Sequence, residues 1–346
     1  MTKWQSDPAG SLYNYLPRGC EICMQGAGLV LFVTGLCERG CFYCPLSEER
    51  KNRDLAFADE QAVNSVADII KEARLIGALG TGITGGEPLL KAEQVVEYIR
   101  ALKQEFGPDH HIHLYTGILP DRDLLMRLKS AGLDEIRIHP PSLTDASGLK
   151  AALAKARSLG LEAGVEMPAI GPAPAVLEAV RDTGAFLNIN ELEFSETNQQ
   201  HLTPLGFWAH DLDCGAEGSE AIARDHFMVP DLKVHYCPSR FKDAVQLRER
   251  LKRRAERVAR QFDFPTEDGT LVYGEIASED GLDRALEALI ELDVPEEMFS
   301  VLPGRIEIAA QILEEISKDL KSIGCNISIV ERYPLEDGLV VERIPL

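Results

Sequence analysis

Three cysteines within one short segment are the residues of this sequence that are best suited to chemistry. Cys37, Cys41 and Cys44 form a C-x3-C-x2-C spacing. Thiolates ligate iron–sulfur clusters, and three of them can hold three irons of a [4Fe-4S] cluster while the fourth iron stays open to a small molecule. An open coordination position distinguishes catalytic from structural metal centres. The spacing alone also allows a zinc site, or an electron-transfer cluster completed by a fourth cysteine.

A second short motif, Gly85-Gly86-Glu87-Pro88, lies about 40 residues downstream. Glycines let a ligand approach the backbone closely, and a carboxylate can accept hydrogen bonds from an ammonium group. Such a turn says little when it stands alone. Its value here comes from its position relative to the cysteine motif.

Repeated strand–helix units are predicted to position both motifs. From Gly28 onward, short apolar runs alternate with stretches of helical period, which is typical of βα units around a parallel sheet. Asp59, Asp121 and Asp145 are the predicted helix N-caps. We predict strands at 29–35, 81–84, 112–116, 134–139, 162–168 and 186–194, with helices at 59–76, 92–106, 121–131, 145–159 and 175–183.

The chain as a whole is predicted to contain three parts. Residues 1–27 form an N-terminal segment with a C-x2-C pair, and the repeated units occupy 28–262. Within that domain, 196–233 is rich in proline, glycine and charge, which predicts a loop-rich insert, and a basic helix is expected over 241–262. The pattern over 265–346 predicts a small α+β domain.

The two motifs and the six units together resemble the radical S-adenosylmethionine (SAM) superfamily over about residues 29–241. The resemblance implies an α/β fold, a partial (β/α)6 barrel, with the cluster at the C-terminal mouth of the strands, where parallel barrels place their active sites. It also implies the chemistry. One electron from the cluster breaks the sulfur–C5′ bond of SAM, and the 5′-deoxyadenosyl radical removes a hydrogen atom from a substrate.

Carried onto this sequence, the resemblance gives each motif residue a role. Cys37, Cys41 and Cys44 would ligate three irons, and the methionine amine and carboxylate of SAM would chelate the fourth. Tyr43 would lie against the adenine. The Gly-Gly-Glu motif would hold the methionine amine, and the site would exclude water and oxygen.

Other polar residues at predicted strand ends are candidates for cofactor binding or catalysis. In the family, groups at these levels contact the ribose and the methionine carboxylate, and an arginine suits the carboxylate. Because a strand alternates its faces, a one-residue error in register exchanges inward and outward residues, so a rim or helix-facing ion pair is the alternative for each. The candidates for cofactor binding are Arg137, Glu166 and Asn190, and those for catalysis are Tyr115, His139, Glu193 and Ser195.

A further C-x2-C pair, Cys20 and Cys23, precedes the first predicted strand. Such a pair needs partners to hold a metal, and His235 and Cys237 are the candidates, with Cys214 as an alternative. A histidine ligand would favour zinc, whereas an all-cysteine set would favour an auxiliary iron–sulfur cluster. The alternative is an unliganded or redox-active thiol pair.

Charge and composition restrict the partners and the location. A formal net charge of −20 disfavours non-specific attraction to nucleic acid or anionic lipid, and the basic helix with Arg253 and Arg254 is the one feature that favours RNA. No apolar run approaches the roughly 20 residues that span a bilayer, and the first ten residues lack signal-peptide character. The eight cysteines are therefore expected to be reduced in a cytoplasmic protein without a membrane partner.

The predicted function is radical modification of a protein or peptide side chain or a small molecule. The partners expected are SAM and an electron donor such as ferredoxin or flavodoxin. Activation of a glycyl-radical enzyme and modification of tRNA are alternatives within the same class. An alternative from another class is a non-catalytic iron–sulfur carrier or metal-binding module. No cobalamin-binding segment is evident, so cobalamin-dependent methylation is not expected.

Overall fold

The computed structural model describes residues 4–211, 213–278 and 281–346. Contacts divide the chain into one compact unit of Met1–Arg74 with Ala78–Leu247 and another of Leu75–Gly77 with Arg248–Leu346. This division falls upstream of the predicted boundary at 262–265. Most of the basic segment belongs to the second unit because Arg254 is buried there, where its Nε donates to the Pro334 carbonyl at 2.7 Å.

The first unit alternates strands and helices along the chain. Its elements up to the third parallel strand are β1 (Gln5–Ser6), β2 (Leu12–Tyr13), α1 (Arg18–Met24), β3 (Gly28–Phe32), β4 (Phe57–Ala58), β5 (Gln61–Ala62), α2 (Val66–Leu75), β6 (Gly80–Thr84), α3 (Ala92–Phe106) and β7 (His111–Thr116). They continue with α4 (Arg122–Ala131), β8 (Glu135–Ile138), α5 (Leu149–Ser158), β9 (Glu162–Pro168), α6 (Pro174–Thr183), β10 (Phe186–Asn190), α7 (Gln199–Leu202), α8 (Ser219–Phe227), β11 (Lys233–Cys237) and α9 (Ser239–Phe241), which runs into a π-helical turn, Lys242–Leu247.

These strands form one sheet in the order β1-β2-β11-β10-β9-β8-β7-β6-β3-β4-β5. The strands from β11 to β3 in this order pair in parallel, while β2 and β4 pair antiparallel at the two ends. Over the described ranges, no pairing joins the two edges of the sheet. The predicted fold class, a partial parallel α/β barrel followed by a small α+β domain, is confirmed.

The parallel sheet contains one strand more than the six predicted. The additional strand is β11, which pairs with β10 on one side and with β2 on the other. Its sequence, Lys-Val-His-Tyr-Cys, lacks the continuous apolar run expected of a strand buried on both faces. It is nevertheless buried from its second residue onward. There, Nδ1 of His235 lies 2.5 Å from Oδ1 of Asn188, and the Tyr236 ring contacts the Phe227 ring.

Two predicted helix starts are wrong, and both errors involve an aspartate. Asp59 lies in the tight turn between β4 and β5 with a φ of 50°, and its carboxylate accepts from the Val30 N–H at 3.0 Å, so α2 begins only at Val66. Asp145 binds the Ser147 N–H in a local turn, and α5 starts at Leu149. By contrast, Asp121 caps α4 as predicted, through the Leu124 N–H at 2.8 Å.

Helix α1 packs inside the partial barrel, close to the first residues of several parallel strands. It contacts β3, β6 and β7, and the Gly19 N–H donates to the Glu135 carboxylate at 3.2 Å. A Cβ at Gly19 would lie 2.7 Å from Nδ1 of His113, so only glycine fits here. The N-terminal segment therefore belongs to the barrel rather than preceding it.

The second unit is an antiparallel sheet with helices. Its elements are α10 (Arg248–Val258), β12 (Phe264–Pro265), β13 (Leu271–Ala277), α11 (Leu282–Glu291), β14 (Phe299–Leu302), β15 (Arg305–Ile308), α12 (Ala310–Glu315), α13 (Ser317–Ser322), β16 (Asn326–Arg332) and β17 (Val340–Pro345). The strands pair antiparallel in the order β14-β15-β13-β16-β17, with β12 also on β13. Leu289 of α11, Leu313 of α12 and Leu320 of α13 pack on the sheet residues Ile276 and Ile306.

The part of the chain described above contains no helix with the length and apolar character needed to cross a bilayer.

Candidate active site

The cysteine motif lies in the loop between β3 and β4, on the wall of a cavity of about 400 Å³. Cys37, Cys41 and Cys44 all line this cavity and are all partly exposed. The Cys44 N–H donates to the Cys41 carbonyl at 3.1 Å, which closes a turn between these two cysteines. Burial raises the pKa of the Cys37 thiol. The opposite wall comes from the C-terminal ends of β8, β9 and β10, as expected for a parallel barrel.

This loop suits a cluster with three protein ligands. Among the residues that the structure describes, no group of three His, Cys, Asp or Glu side chains converges as the ligands of a single metal ion would. A [4Fe-4S] cluster makes a different demand, because each thiolate binds a separate iron and the sulfurs stand farther apart. Three thiols on one cavity wall, with open space beside them, match that donor set.

Backbone hydrogen bonds join the Gly-Gly-Glu turn to the segment just before Cys37. The Gly86 N–H donates to the Thr34 carbonyl at 2.6 Å, and the Glu87 N–H donates to the Leu36 carbonyl at 2.8 Å. A Cβ at Gly86 would stand 2.5 Å from the Leu36 carbonyl oxygen. Glycine is therefore required here by the close approach of two backbone segments, and the two motifs form one structural unit.

Glu87 is buried, although it contributes to the lining of the cavity. It accepts hydrogen bonds from the Leu89 N–H at 3.0 Å, the Thr116 hydroxyl at 2.8 Å and the Gly117 N–H at 2.6 Å. These bonds use the carboxylate to join the ends of β6 and β7. The side chain thus holds the turn in place through three donors of the protein.

Tyr43 and His139 both line the cavity, and their side chains contact each other there. The Tyr43 hydroxyl lies 2.7 Å from Nε2 of His139, and Nδ1 of His139 lies 3.0 Å from the Glu166 carbonyl oxygen. Burial and the neighbouring Arg39 lower the pKa of His139 to about 4, so the ring is neutral at pH 7. A carbonyl can only accept, so Nδ1 carries the proton and Nε2 accepts from Tyr43. Burial also raises the pKa of Tyr43, which keeps its hydroxyl protonated.

The far side of the cavity carries carboxylates and amides from β9 and β10. The Glu166 carboxylate accepts from the Asn188 amide at 2.8 Å and from the Asn190 amide at 2.6 Å. Glu193 forms an ion pair with the Lys242 ammonium. Burial alone would lower the pKa of Lys242, but the adjacent Glu193 raises it above its usual range. The Lys242 ammonium therefore keeps its charge at the cavity wall.

Two of the predicted site residues lie below the cavity, in the barrel interior. The Arg137 guanidinium is fully buried and donates to the Glu135 carboxylate at 2.5 Å, the Tyr115 hydroxyl at 3.0 Å and the Cys20 sulfur at 3.2 Å. Burial would raise the pKa of Glu135, but Arg137 lowers it below its usual range. Neither Arg137 nor Tyr115 lines the cavity.

Ser195 lies outside the cavity, where it begins a turn closed by Asn198. Sequence reasoning missed Arg39, Lys51 and Lys242 as cavity-lining residues. Arg39 donates to the carbonyls of Gly117, His139 and Pro140. Its place between Cys37 and Cys41 in the sequence could have predicted that it lies at the site. Nothing in the local pattern around Lys51 or Lys242 distinguishes them from surface lysines.

The residues predicted for a second metal site approach one another without forming a ligand set. Cys20 is buried on α1 with its sulfur 3.8 Å from Oδ1 of Asn188, and Nδ1 of His235 lies 2.5 Å from the same oxygen. Cys237 packs against apolar side chains, and Cys214 is exposed. Burial raises the pKa of Cys20 and raises that of Cys237 to about 12, which favours neutral thiols in the metal-free chain. The second metal site stays a prediction.

Comparisons with known proteins agree with this geometry. A family model described as the radical SAM superfamily matches residues 31–186, and one described as a domain of unknown function, DUF8061, matches residues 269–346. A Methanocaldococcus jannaschii protein named "Putative glycyl-radical enzyme activating enzyme" is 40% identical over 357 aligned residues, which cover 96% of this chain and 94% of that protein. A Methanococcus maripaludis protein named "Probable GTP 3′,8-cyclase" is 27% identical over 188 residues, 49% of this chain and 60% of that protein.

Two solved structures also share similarity with the chain. Methylornithine synthase is 13% identical with a TM-score of 0.43, over 60% of this chain and 63% of that protein. Streptococcus suis SuiB bound to SAM is 11% identical with a TM-score of 0.42, over 70% of this chain and 52% of that protein.

A partial parallel barrel with three cysteines at its mouth defines an enzyme that uses an iron–sulfur cluster. The chain belongs to the radical SAM superfamily. Its cofactors are a [4Fe-4S] cluster and SAM, and it is an enzyme rather than a non-catalytic electron carrier.

Proposed function

We propose that this enzyme activates a glycyl-radical enzyme by removing a hydrogen atom from the Cα of a glycine in that partner protein. The proposal rests on the 40% identity, over almost the whole chain, to a protein named for this activity. The cavity supports it, since the cluster loop lines an opening bounded by the ends of the parallel strands, within reach of an entering chain segment. The sequence favoured direct modification of a protein or peptide side chain or a small molecule, with activation of a glycyl-radical enzyme as an alternative, and the relative now favours that alternative.

When bound, the cluster would supply the electron for cleavage of SAM to methionine and a 5′-deoxyadenosyl radical, which would remove the hydrogen atom from the glycine. The protein contributes the surroundings of this step. Cys37, Cys41 and Cys44 hold the irons. The Tyr43 ring, fixed by its hydrogen bond to His139, forms the wall against which the adenine lies.

The methionine part of SAM carries an ammonium group, which needs hydrogen-bond acceptors, and a carboxylate, which needs a cation. We assign the amine to the backbone of the Gly85–Gly86 turn rather than to the Glu87 carboxylate, because that carboxylate already accepts three hydrogen bonds. We assign the carboxylate to Lys51 rather than to Arg137. Arg137 is occupied below the cavity, whereas Lys51 lines it and has no ion-pair partner among the described residues. Glu166, Asn190 and Glu193 remain candidates for the ribose or the substrate backbone.

The electron donor and the location follow from the same chemistry. We infer that a low-potential carrier such as ferredoxin or flavodoxin reduces the cluster. None of the eight cysteines, all of which lie in the described ranges, forms a disulfide, which suits a reducing cytoplasm. An oxygen-sensitive cluster suits the same compartment.

Cleavage of SAM is tested anaerobically in the reconstituted, reduced enzyme. We expect 5′-deoxyadenosine from the wild-type chain and from Cys214→Ser, whose sulfur lies outside the cavity, and none from Cys41→Ala. Equal production by Cys41→Ala would refute the assignment of the cluster to this loop.

The glycine is tested without knowing the partner in advance. Protein from the source organism is prepared with deuterium at the Cα of glycine, separated from small molecules by filtration, and supplied as the substrate. We expect deuterium in the 5′-deoxyadenosine, and none when the label is placed in alanine instead. Deuterium arriving only from the small-molecule filtrate would reject the activating function while leaving SAM cleavage intact.

A further inference from the structure

The segment that follows β10 reaches back to the cluster loop across some 150 residues of sequence. The Thr197 hydroxyl lies 2.6 Å from the Leu46 carbonyl oxygen and 3.2 Å from the Cys44 carbonyl oxygen. The Asn198 amide donates to the Tyr43 carbonyl at 3.1 Å. These carbonyls belong to the last cysteine of the motif and to its near neighbours.

Asn198 is built into this position. It is completely buried, and its amide also donates to the Glu193 carbonyl at 2.8 Å while its oxygen accepts from the Ser195 N–H at 2.8 Å. Both amide hydrogens and the amide oxygen therefore have partners. A buried and fully bonded asparagine fixes distances to its neighbours, because any displacement leaves polar groups unpaired.

A second contact joins the same two segments at the surface. The Glu48 N–H donates to the Glu196 carboxylate at 2.8 Å. Residues 195–198, which we call the insert clamp, thus hold the cluster loop at Tyr43, Cys44, Leu46 and Glu48. Within the loop, the Cys44 N–H bond to the Cys41 carbonyl orients these two cysteines relative to each other but does not anchor them to the barrel.

We propose that Thr197 and Asn198 are positioning residues for the cluster, which hold Cys44 at its place on the cavity wall. Removing a group that hydrogen-bonds to a metal ligand without binding the metal itself typically lowers metal affinity or activity by about 10- to 100-fold. None of the clamp residues lines the cavity, and Thr197 and Asn198 reach the cluster loop at backbone carbonyls. The effect of the clamp therefore passes through the backbone of the cluster loop.

The test is the rate at which the reconstituted holoenzyme loses iron to an excess of chelator under anaerobic conditions. Thr197→Val removes the hydroxyl at nearly constant volume, and Asn198→Asp replaces the amide donor with an acceptor that faces two carbonyls. We expect both variants to release iron about 10- to 100-fold faster than the wild type. Thr197→Ser keeps the hydroxyl and is expected to release iron at the wild-type rate.

Thr203→Val is the matched control, since Thr203 belongs to the same insert and the described contacts give its hydroxyl no bond to the cluster loop. The melting temperature of each metal-free variant separates positioning from general destabilisation. Iron release from Thr197→Val at the control rate would overturn the proposal. So would acceleration that merely follows a lowered melting temperature, or equal acceleration in Thr197→Ser.

Discussion

Replacement of Gly86 by alanine should impair SAM cleavage through a steric effect that can be worked out from the backbone. The new Cβ would stand 2.5 Å from the Leu36 carbonyl oxygen and 2.6 Å from the Gly35 carbonyl oxygen. Neither atom is the end of a flexible side chain, so the turn and the segment before Cys37 must separate by about 0.9 Å to reach the ordinary contact distance of 3.4 Å. That movement stretches the hydrogen bonds that join the two motifs.

A displacement of about 1 Å between reacting groups can cost on the order of 100-fold in rate, and overpacking costs about 1–3 kcal/mol in stability. We therefore expect Gly86→Ala to form 5′-deoxyadenosine about 100-fold more slowly per bound cluster, with iron measured in the same samples. Gly171→Ala is the control, because its Cβ would enter open space and its φ lies outside the left-handed region. If Gly86→Ala matched Gly171→Ala within about twofold, the steric reasoning would be refuted.

Three further outcomes are expected. Arg137→Met leaves the buried Glu135 carboxylate without its cation and should lower the free energy of unfolding by about 3–5 kcal/mol, measured by urea denaturation of the metal-free chain; an unchanged unfolding midpoint would contradict this. Burial and Arg137 lower the pKa of His113 to about 3, so the unfolded chain binds a proton that the folded chain does not, and stability falls as the pH drops below about 6.5. At about pH 5 this histidine accounts for about 2 kcal/mol, and His113→Phe should show a correspondingly smaller loss between those two pH values; an equal loss would show that His113 is not responsible. Lys51→Gln should weaken SAM binding about 10-fold in equilibrium dialysis, because one charge-assisted hydrogen bond is lost. An unchanged dissociation constant would show that a residue other than Lys51 binds the methionine carboxylate of SAM.

The sequence predicted the features that are encoded locally. The spacing of Cys37, Cys41 and Cys44 is a property of eight consecutive residues, and the Gly-Gly-Glu turn is a property of three. The alternation of short strand-like runs with helical stretches found β3 and β6 to β10 of the parallel sheet. It missed β11, which follows the loop-rich insert instead of a regular helix–strand unit and takes its place by pairing with β10 and β2.

The positions of individual side chains depended on information that no local pattern contains. Arg137 was predicted to reach SAM, but strand register turns it into the barrel interior, where Glu135 and Tyr115 hold it. Ser195 was predicted as a catalytic candidate at the end of the sixth strand. In the structure β10 ends at Asn190, and Ser195 lies outside the cavity. Lys51 became a candidate only after the structure showed which cations have carboxylate partners and which do not.

The placement of α1 inside the sheet has a consequence for the order in which the chain can fold during synthesis. The residues before β3 leave the ribosome ahead of their partners, since Gly19 bonds to Glu135, Cys20 lies beside Asn188, and the Asn14 amide donates to the Leu232 carbonyl at 2.9 Å. These partners are made 116, 168 and 218 residues later. Helix α1 can contact β3, β6 and β7 as soon as those strands exist, but the pairing of β2 with β11 can form only after β11 has been translated. Because closure of such long loops is slow compared with local folding, the pairing of β2 with β11 is expected to be a late step in assembling this barrel.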